Sequence, residues 1–262
     1  MGIVNVTPDS FSDGGLFGDE HDAIQHAAQL LDEGADLVDI GGESTRPGSD
    51  PVPIDEELRR VVPVIDGLLA ARPDAVVSVD TRHEEVARRA LDAGAHVVND
   101  VTAGADPLMF GVVRDARAGM VLMHTRGEPK TMQEDPRYDD VVAEVHEYLR
   151  ERVEAAVFAG VASERLAIDP GIGFGKDLQH NLALLRALDR FTDLEAALLL
   201  GASRKRFLGT LTETDDPRDR LEASLAAATW GAGHSVDVVR VHDVRATIRA
   251  LRVADAIARS AS

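Results

Sequence analysis

Asp32-Glu33-Gly34-Ala35-Asp36-Leu37-Val38-Asp39 and its echo Asp92-Ala93-Gly94-Ala95-His96-Val97-Val98-Asn99 decide how this chain folds. In each, a helical pattern ends near a glycine, a short apolar run follows, and the run stops on a polar side chain. The glycine suits the residue just past a helix, where a left-handed backbone is wanted, and the run suits a parallel strand buried on both faces. Working outward, the same unit recurs. Strands are expected at 2–6, 36–41, 75–80, 96–100, 119–124, 165–169, 197–202 and 236–241. Helical patterns fill 20–33, 55–71, 83–93, 107–117, 138–160, 178–189, 217–231 and 243–259. Pro63 lies inside the second pattern and predicts a kink or a late start there. Eight strands alternating with eight helices predict an α/β fold, a (β/α)8 TIM barrel in a single domain over residues 1–262. A doubly wound open sheet is the alternative. Strand one stands at the start of the chain, so either the chain is shortened or the bottom of the barrel is bare.

Composition narrows the function. The chain has 262 residues, no cysteine and a net charge of −18. The missing cysteines exclude disulfide scaffolds, thiolate metal sites and cysteine nucleophiles. The negative charge argues against nucleic acid and anionic membranes as partners. No apolar run approaches the ~20 residues of a membrane span, and the N-terminus lacks the basic region of a signal peptide, so the expected location is the cytoplasm. Of 28 basic residues only Lys130, Lys176 and Lys205 are lysines. Coding bias and adaptation to high salt both account for this, and the sequence alone does not separate them.

In a barrel, chemistry sits at the C-terminal ends of the strands and in the loops after them. Those ends read Asn5, Asp39, Asp80, Asn99 with Asp100, His124, Asp169, Ser203, and Arg240 with His242. Each polar group could simply cap the next helix, and Asp39 and Asp100 suit that role as well as any other. The loops are more distinctive. The first, Asn5 to Gly15, is long and holds Phe11. The second, Gly41 to Gly48, contains Gly-Gly-Glu-Ser-Thr-Arg-Pro-Gly. Long loops of this kind move or approach a ligand closely. The loop Asp169-Pro-Gly-Ile-Gly-Phe-Gly-Lys176 is not a nucleotide loop: Pro170 stands where a Walker A glycine belongs, and Asp177 follows Lys176 in place of Ser or Thr. The remaining histidines, His124 apart, read as surface or packing groups.

Arg46, Arg204, Lys205, Arg240 and His242 are expected to converge on one face, a local positive basin suited to an anionic substrate such as a phosphate ester. Asp80, Asn99 and Asp169 face it. An ionised carboxylate accepts two parallel N–H bonds from an aminopyrimidine edge, so this trio suits a flat heterocycle rich in N–H groups.

Taken together, residues 1–15, DIGGESTRPG (39–48), SVDTR (78–82), HVVNDV (96–101), LMHTRGEPKTMQ (122–133), DPGIGFGK (169–176), GASRKRFLG (201–209) and VRVHDV (239–244) resemble the dihydropteroate synthases of folate biosynthesis. The resemblance runs in order through nearly every loop that follows a strand. It implies an enzyme that joins 6-hydroxymethyl-7,8-dihydropterin diphosphate to 4-aminobenzoate, releasing diphosphate. It also implies a barrel, a homodimer and a sulfonamide target. Carried over residue by residue, it implies that Asp80, Asn99 and Asp169 hold the pterin, with Lys205 on its carbonyl side and Met123 packing nearby. Asn5 would ligate Mg²⁺ with the diphosphate, and Arg240 and His242 would bind the diphosphate oxygens. Thr45 and Arg46 lie on the second loop, Phe11 and Asp13 on the first. Phe174, Lys205 and Ser203 border the aminobenzoate site. Asp80, Asp169, Lys205, Arg240, His242, Asp13 and Arg46 form the expected catalytic set. The one departure is the segment that most members have before strand one. A pterin-binding methyltransferase domain and a non-catalytic pterin-binding paralogue are the competing functions. The first has no reason to keep Arg240, His242 and the two long loops, and the second should have lost a loop motif.

Overall fold

The computed structural model describes residues 1–6, 16–44, 48–127 and 130–259. Its strands are β1 (Gly2–Asn5), β2 (Val38–Gly41), β3 (Val77–Asp80), β4 (Val97–Asp100), β5 (Gly119–Met123), β6 (Leu166–Asp169), β7 (Ala197–Leu200) and β8 (Val238–Val239). They form one sheet in sequence order, and every neighbouring pair is parallel. The sheet curls, and backbone bonds link the residues at its first and last strands. Gly2 and Val241 form a parallel bridge, Ile3 N–H donates to Val241 O, and Val241 N–H donates to Met1 O.

The helices are α1 (Leu16–Asp32), α2 (Ile54–Ala71), α3 (Glu84–Asp92), α4 (Met109–Ala116), α5 (Val141–Phe158), α6 (Leu178–Arg186), α7 (Arg206–Thr212), α8 (Leu221–Ala232) and α9 (Val244–Arg259). Several pack side by side in sequence order, as α1 does on α2, α2 on α3 and α8 on α9. The glycine signal is borne out at α1 and α3. Gly34 (φ +106°) and Gly94 (φ +104°) follow these helices, and the next residues, Ala35 and Ala95, donate back to Leu30 O and Ala90 O. That pattern satisfies carbonyls the helix ends would otherwise leave open and turns the chain into the next strand.

Two helices bear on the expectations. α2 starts at Ile54 and runs through Pro63 to Ala71, so of the two readings of Pro63 the late start is the one that fails. Pro63 gives up one backbone bond, and the buried Val61, Val64, Ile65 and Leu68 on the same helix hold it in place. The short helix α7 was not expected after β7. It has no side-chain cap and too few residues to show a period; burial of Phe207 and Leu208 holds it.

The core lies between sheet and helices, built from Val4, Ile40, Val79, Val98, Leu122 and Ile168 of the strands against Ala27, Leu30, Ile65, Leu68 and Val86 of the helices. The opposite strand faces point inward, where Met1, Val121 and Leu199 cluster with Leu37, Val97, Ala167 and Val238. Side chains alternate along a strand, so the residue two positions beyond an inward one is inward too. That places Asp39, Asn99, Met123, Asp169, Gly201 and Arg240 directly above the apolar cluster. Register adds Asn5 and Asp80, since Asn5 pairs with Gly41, Gly41 with Asp80, and Asp80 with Asn99.

Candidate active site

The polar layer over the inner cluster is built around one guanidinium. Arg240 donates its Nε–H to Asp39 Oδ2 at 2.6 Å and an Nη2–H to Asp80 Oδ2 at 2.7 Å. Asn99 donates its amide to the same Asp39 oxygen at 2.9 Å. Asp39, Asp80 and Asn99 are all buried. Burial works against the charge on Arg240, and Asp39 and Asp80 more than offset it, so its pKa rises. Burial pushes the Asp80 carboxyl up to about 7; Arg240 opposes that shift and the Asp39 charge adds to it. Asp80 Oδ1 and Asp39 Oδ1 are buried with no hydrogen-bond partner among the described residues. A buried acceptor left open costs stability, so such atoms mark places where a ligand donor fits. Gly41 gives room: a β-carbon there would stand 3.2 Å from Asp80 Cβ.

Asp169 forms the opposite wall. Its Oδ1 accepts the Gly171 N–H at 2.7 Å, and its Oδ2 lies 3.4 Å from where a Gly201 β-carbon would stand. Burial raises its pKa, against the pull of the Gly171 N–H and Lys205. The loop after β6 turns on alternate glycines with positive φ. Gly171 shows why they are needed, because a β-carbon there would sit 1.8 Å from His124 O. Gly173 N–H donates to Asn181 Oδ1, Gly173 O accepts from Gln133, and Gly175 O accepts from Tyr138 OH. Phe174 is thereby presented beside Lys205, whose Nζ lies 3.8 Å from the centre of the ring.

His242 and Ser203 form a further unit. His242 N–H donates to Ser203 Oγ at 3.2 Å, and Ser203 Oγ lies 3.0 Å from His242 Nδ1. Where the hydroxyl donates its own hydrogen to Nδ1, the ring proton of a neutral His242 sits on Nε2. Met123 is buried at the end of β5, in register with Asp169. Asn5 is half-buried at the end of β1.

Asp80, Asn99, Asp169, Lys205, Phe174, Ser203, Arg240, His242, Met123 and Asn5 thus occupy one end of the sheet. Phe11, Asp13, Thr45 and Arg46 lie outside the described residues. Arg204 does not join the basin. Its guanidinium is clamped on Asp243 by two bonds of 3.0 and 2.6 Å, because its backbone, at φ +58°, turns it toward α9. Asp100 caps the next turn through Thr102 and Gly104 N–H. Asp39 was open between cap and site, and the structure places it at the centre of the Arg240 network. Gln133, Tyr138 and Asn181, which hold the glycine loop, went unread as positioning groups; their polar side chains carry no local signal of a partner so distant in sequence.

Within the second loop Glu43 accepts from Arg82 at 3.1 Å, and the buried Glu57 of α2 pairs with His83 Nδ1 at 2.7 Å. Glu43, Glu57 and His83 form the one group among the described residues with metal-ligand spacing. Hydrogen bonding to Glu57 raises the His83 pKa, which favours the imidazolium beside the two carboxylates.

Comparison with known proteins matches this geometry. The family described as "Pterin binding enzyme" matches residues 1–242. The dihydropteroate synthase of Escherichia coli K12 is 46% identical over 256 residues, spanning 98% of this chain and 90% of that protein. A Xanthomonas albilineans dihydropteroate synthase structure with 4-aminobenzoic acid superposes with a TM-score of 0.93 at 50% identity, covering 98% of this chain and 92% of that one. A structure of the enzyme from the same organism in complex with 7,8-dihydropteroate gives 0.90 at 48%, with the same coverage.

Proposed function

This chain belongs to the family of pterin-binding enzymes, and on that premise we infer that it catalyses the dihydropteroate synthase reaction. It condenses 6-hydroxymethyl-7,8-dihydropterin diphosphate with 4-aminobenzoate to give 7,8-dihydropteroate and diphosphate. The observation that carries this is the similarity to dihydropteroate synthases over 98% of the chain, matched by a TM-score of 0.93 to one holding 4-aminobenzoic acid.

We propose the following roles. Asp80, Asn99 and Asp169 take the N–H-rich edge of the pterin, with the open Asp80 Oδ1 as one acceptor. Arg240 has five N–H donors and uses two on Asp39 and Asp80, so the guanidinium can bridge the pterin carboxylates to the diphosphate. His242 would donate from Nε2 to a diphosphate oxygen. When the C–O bond to the diphosphate breaks, the methylene carbon gains positive charge, and the carboxylates at 80 and 169 favour that charge. The weakly basic aminobenzoate amine attacks without a strong base. Phe174 and Lys205 border its site, Lys205 attracting the carboxylate. Phe11, Asp13, Thr45 and Arg46 are proposed for the loops that close over it, which orders diphosphate binding before aminobenzoate.

The Mg²⁺ implied by the resemblance fits Asn5. Its amide oxygen is a hard donor at the end of β1, and Mg²⁺ typically takes one or two protein ligands and completes its shell with phosphate and water. When bound there it would neutralise charge on the departing diphosphate. We further propose that the curled sheet is a (β/α)8 barrel closed by the Gly2–Val241 bridge, a single domain supported by one main core cluster. A cytoplasmic homodimer completes the proposal, and light scattering in solution tests the dimer. None of the described helices is long and apolar enough to cross a membrane.

Incubation with the pterin diphosphate, Mg²⁺ and 4-aminobenzoate tests the function. Dihydropteroate is the expected product; binding of the pterin without turnover would reassign the chain to a binding role.

A further inference from the structure

Lys176 takes no part in the reaction derived above, yet it is 2% exposed and lies against the site. Its Nζ stands 2.9 Å from His124 Nδ1, 3.0 Å from Phe174 O and 3.4 Å from His124 O. Burial lowers the Lys176 pKa to about 7, against the pull of the Asp169 charge; its protonated form has three N–H donors, and three acceptors surround it. Burial, with Lys176 adding to it, pushes the His124 ring down to about 2, so the ring is neutral and Nδ1 can accept. Gly173 and Gly175 of the loop after β6 are held by neutral groups, namely Asn181, Gln133 and Tyr138, and Gly171 by the Asp169 carboxylate. The Phe174 carbonyl is held by the Lys176 amino group, which ties it to the end of β5. The Phe174 ring in turn lies 3.8 Å from Lys205 Nζ, and a β-carbon on Gly173 would stand 3.1 Å from Lys205 Cδ.

We propose that Lys176 is a positioning residue for 4-aminobenzoate: its ammonium fixes the Phe174 backbone, and through it the ring and the Lys205 side chain that border that substrate. This rests on the function assigned above. The chemistry asks for a lysine. A compact point charge reaches three acceptors in different directions, which the planar fork of arginine does not.

Steady-state kinetics on Lys176→Met tests it, since methionine keeps an unbranched apolar stem and removes the ammonium. Losing the charge-assisted bond to Phe174 O raises KM for 4-aminobenzoate about tenfold, with KM for the pterin diphosphate changing less than about threefold. In a Phe174→Ala background the same substitution adds less than about twofold, because the group it acts through is gone. An unchanged KM for 4-aminobenzoate, an equal rise in both KM values, or a full additional effect in the Phe174→Ala background overturns the proposal. If Lys176→Met does not fold, Lys176→Gln replaces it. With one amide donor left, a several-fold rise in the same KM supports the proposal and an unchanged KM sinks it. A parent protein that makes no dihydropteroate overturns the functional reading itself, and that is known before any variant is assayed.

Discussion

Arg240 donates to Asp39 Oδ2 at 2.6 Å across 201 residues of chain, reaching from β8 past β1 to β2. The same guanidinium bonds Asp80, so one cation holds two buried carboxylates in place. Removing it outright leaves both acids unpaired, and Arg240→Ala should lose roughly 3–5 kcal/mol of folding stability. Arg240→Lys isolates the diphosphate role. It keeps the charge and loses the fork, so affinity for the pterin diphosphate should fall about 10- to 100-fold, and that for unphosphorylated pterin much less. Calorimetry with both ligands measures this, and equal weakening would take Arg240 away from the diphosphate.

Asp80 makes pterin binding depend on pH. Its folded pKa is about 7, against 3.8 as the ordinary value. A raised carboxyl pKa favours folding most below about 4, and that contribution is lost as pH rises through about 7. Binding runs the other way, because the pterin N–H groups require the ionised form. Affinity should fall about tenfold per pH unit below 7, with a proton released on binding. The Asp39 charge helps raise this pKa, so Asp39→Asn should move the midpoint down. Calorimetry in buffers of different ionisation enthalpy counts the proton; none released at pH 6 contradicts the assignment.

Asp169→Asn separates cap from site. Asparagine can keep the acceptor for Gly171 N–H and replaces the oxygen near Gly201 with a donor. The melting temperature should hold while pterin affinity drops about 10²- to 10³-fold, the cost of breaking a buried charge-assisted pair. A variant that binds within twofold of the parent would make Asp169 only a loop cap.

Two glycines with similar backbones should respond differently to alanine. Both Gly171 (φ +68°) and Gly48 (φ +88°) are left-handed. A β-carbon on Gly48 meets no described residue within 4 Å, so Gly48→Ala should cost about 1–2 kcal/mol, from backbone strain. On Gly171 it would overlap His124 O, and Gly171→Ala should cost markedly more and remove activity. Urea unfolding of the two variants compares them directly.

The net charge of −18 gives a prediction at the scale of the whole molecule. If the acidic surface is a salt adaptation, stability and activity should rise from dilute buffer to molar KCl as screening relieves self-repulsion. A steady fall in activity across that range would leave coding bias as the explanation.

The sequence by itself determined the order of strands and helices, because each unit carries local signals: a glycine past the helix, an apolar run, a polar stop. Polar stops at the strand ends also grouped Asp80, Asn99, Asp169 and Arg240, because a barrel gathers the C-terminal ends of its strands on one face. The boundaries drifted by a few residues, and the uncapped α7 was missed, because short elements held by burial leave no periodic trace. Only the tertiary structure decided how the charges pair. Arg204 and Arg240 both stand just past strands β7 and β8, yet one is spent on Asp243 and the other organises the site. Lys176 reads only as a loop residue, and the structure buries it against His124. Ion pairs and hydrogen bonds between residues far apart in the chain depend on distances of a few ångström, and those exist only once the strands lie side by side.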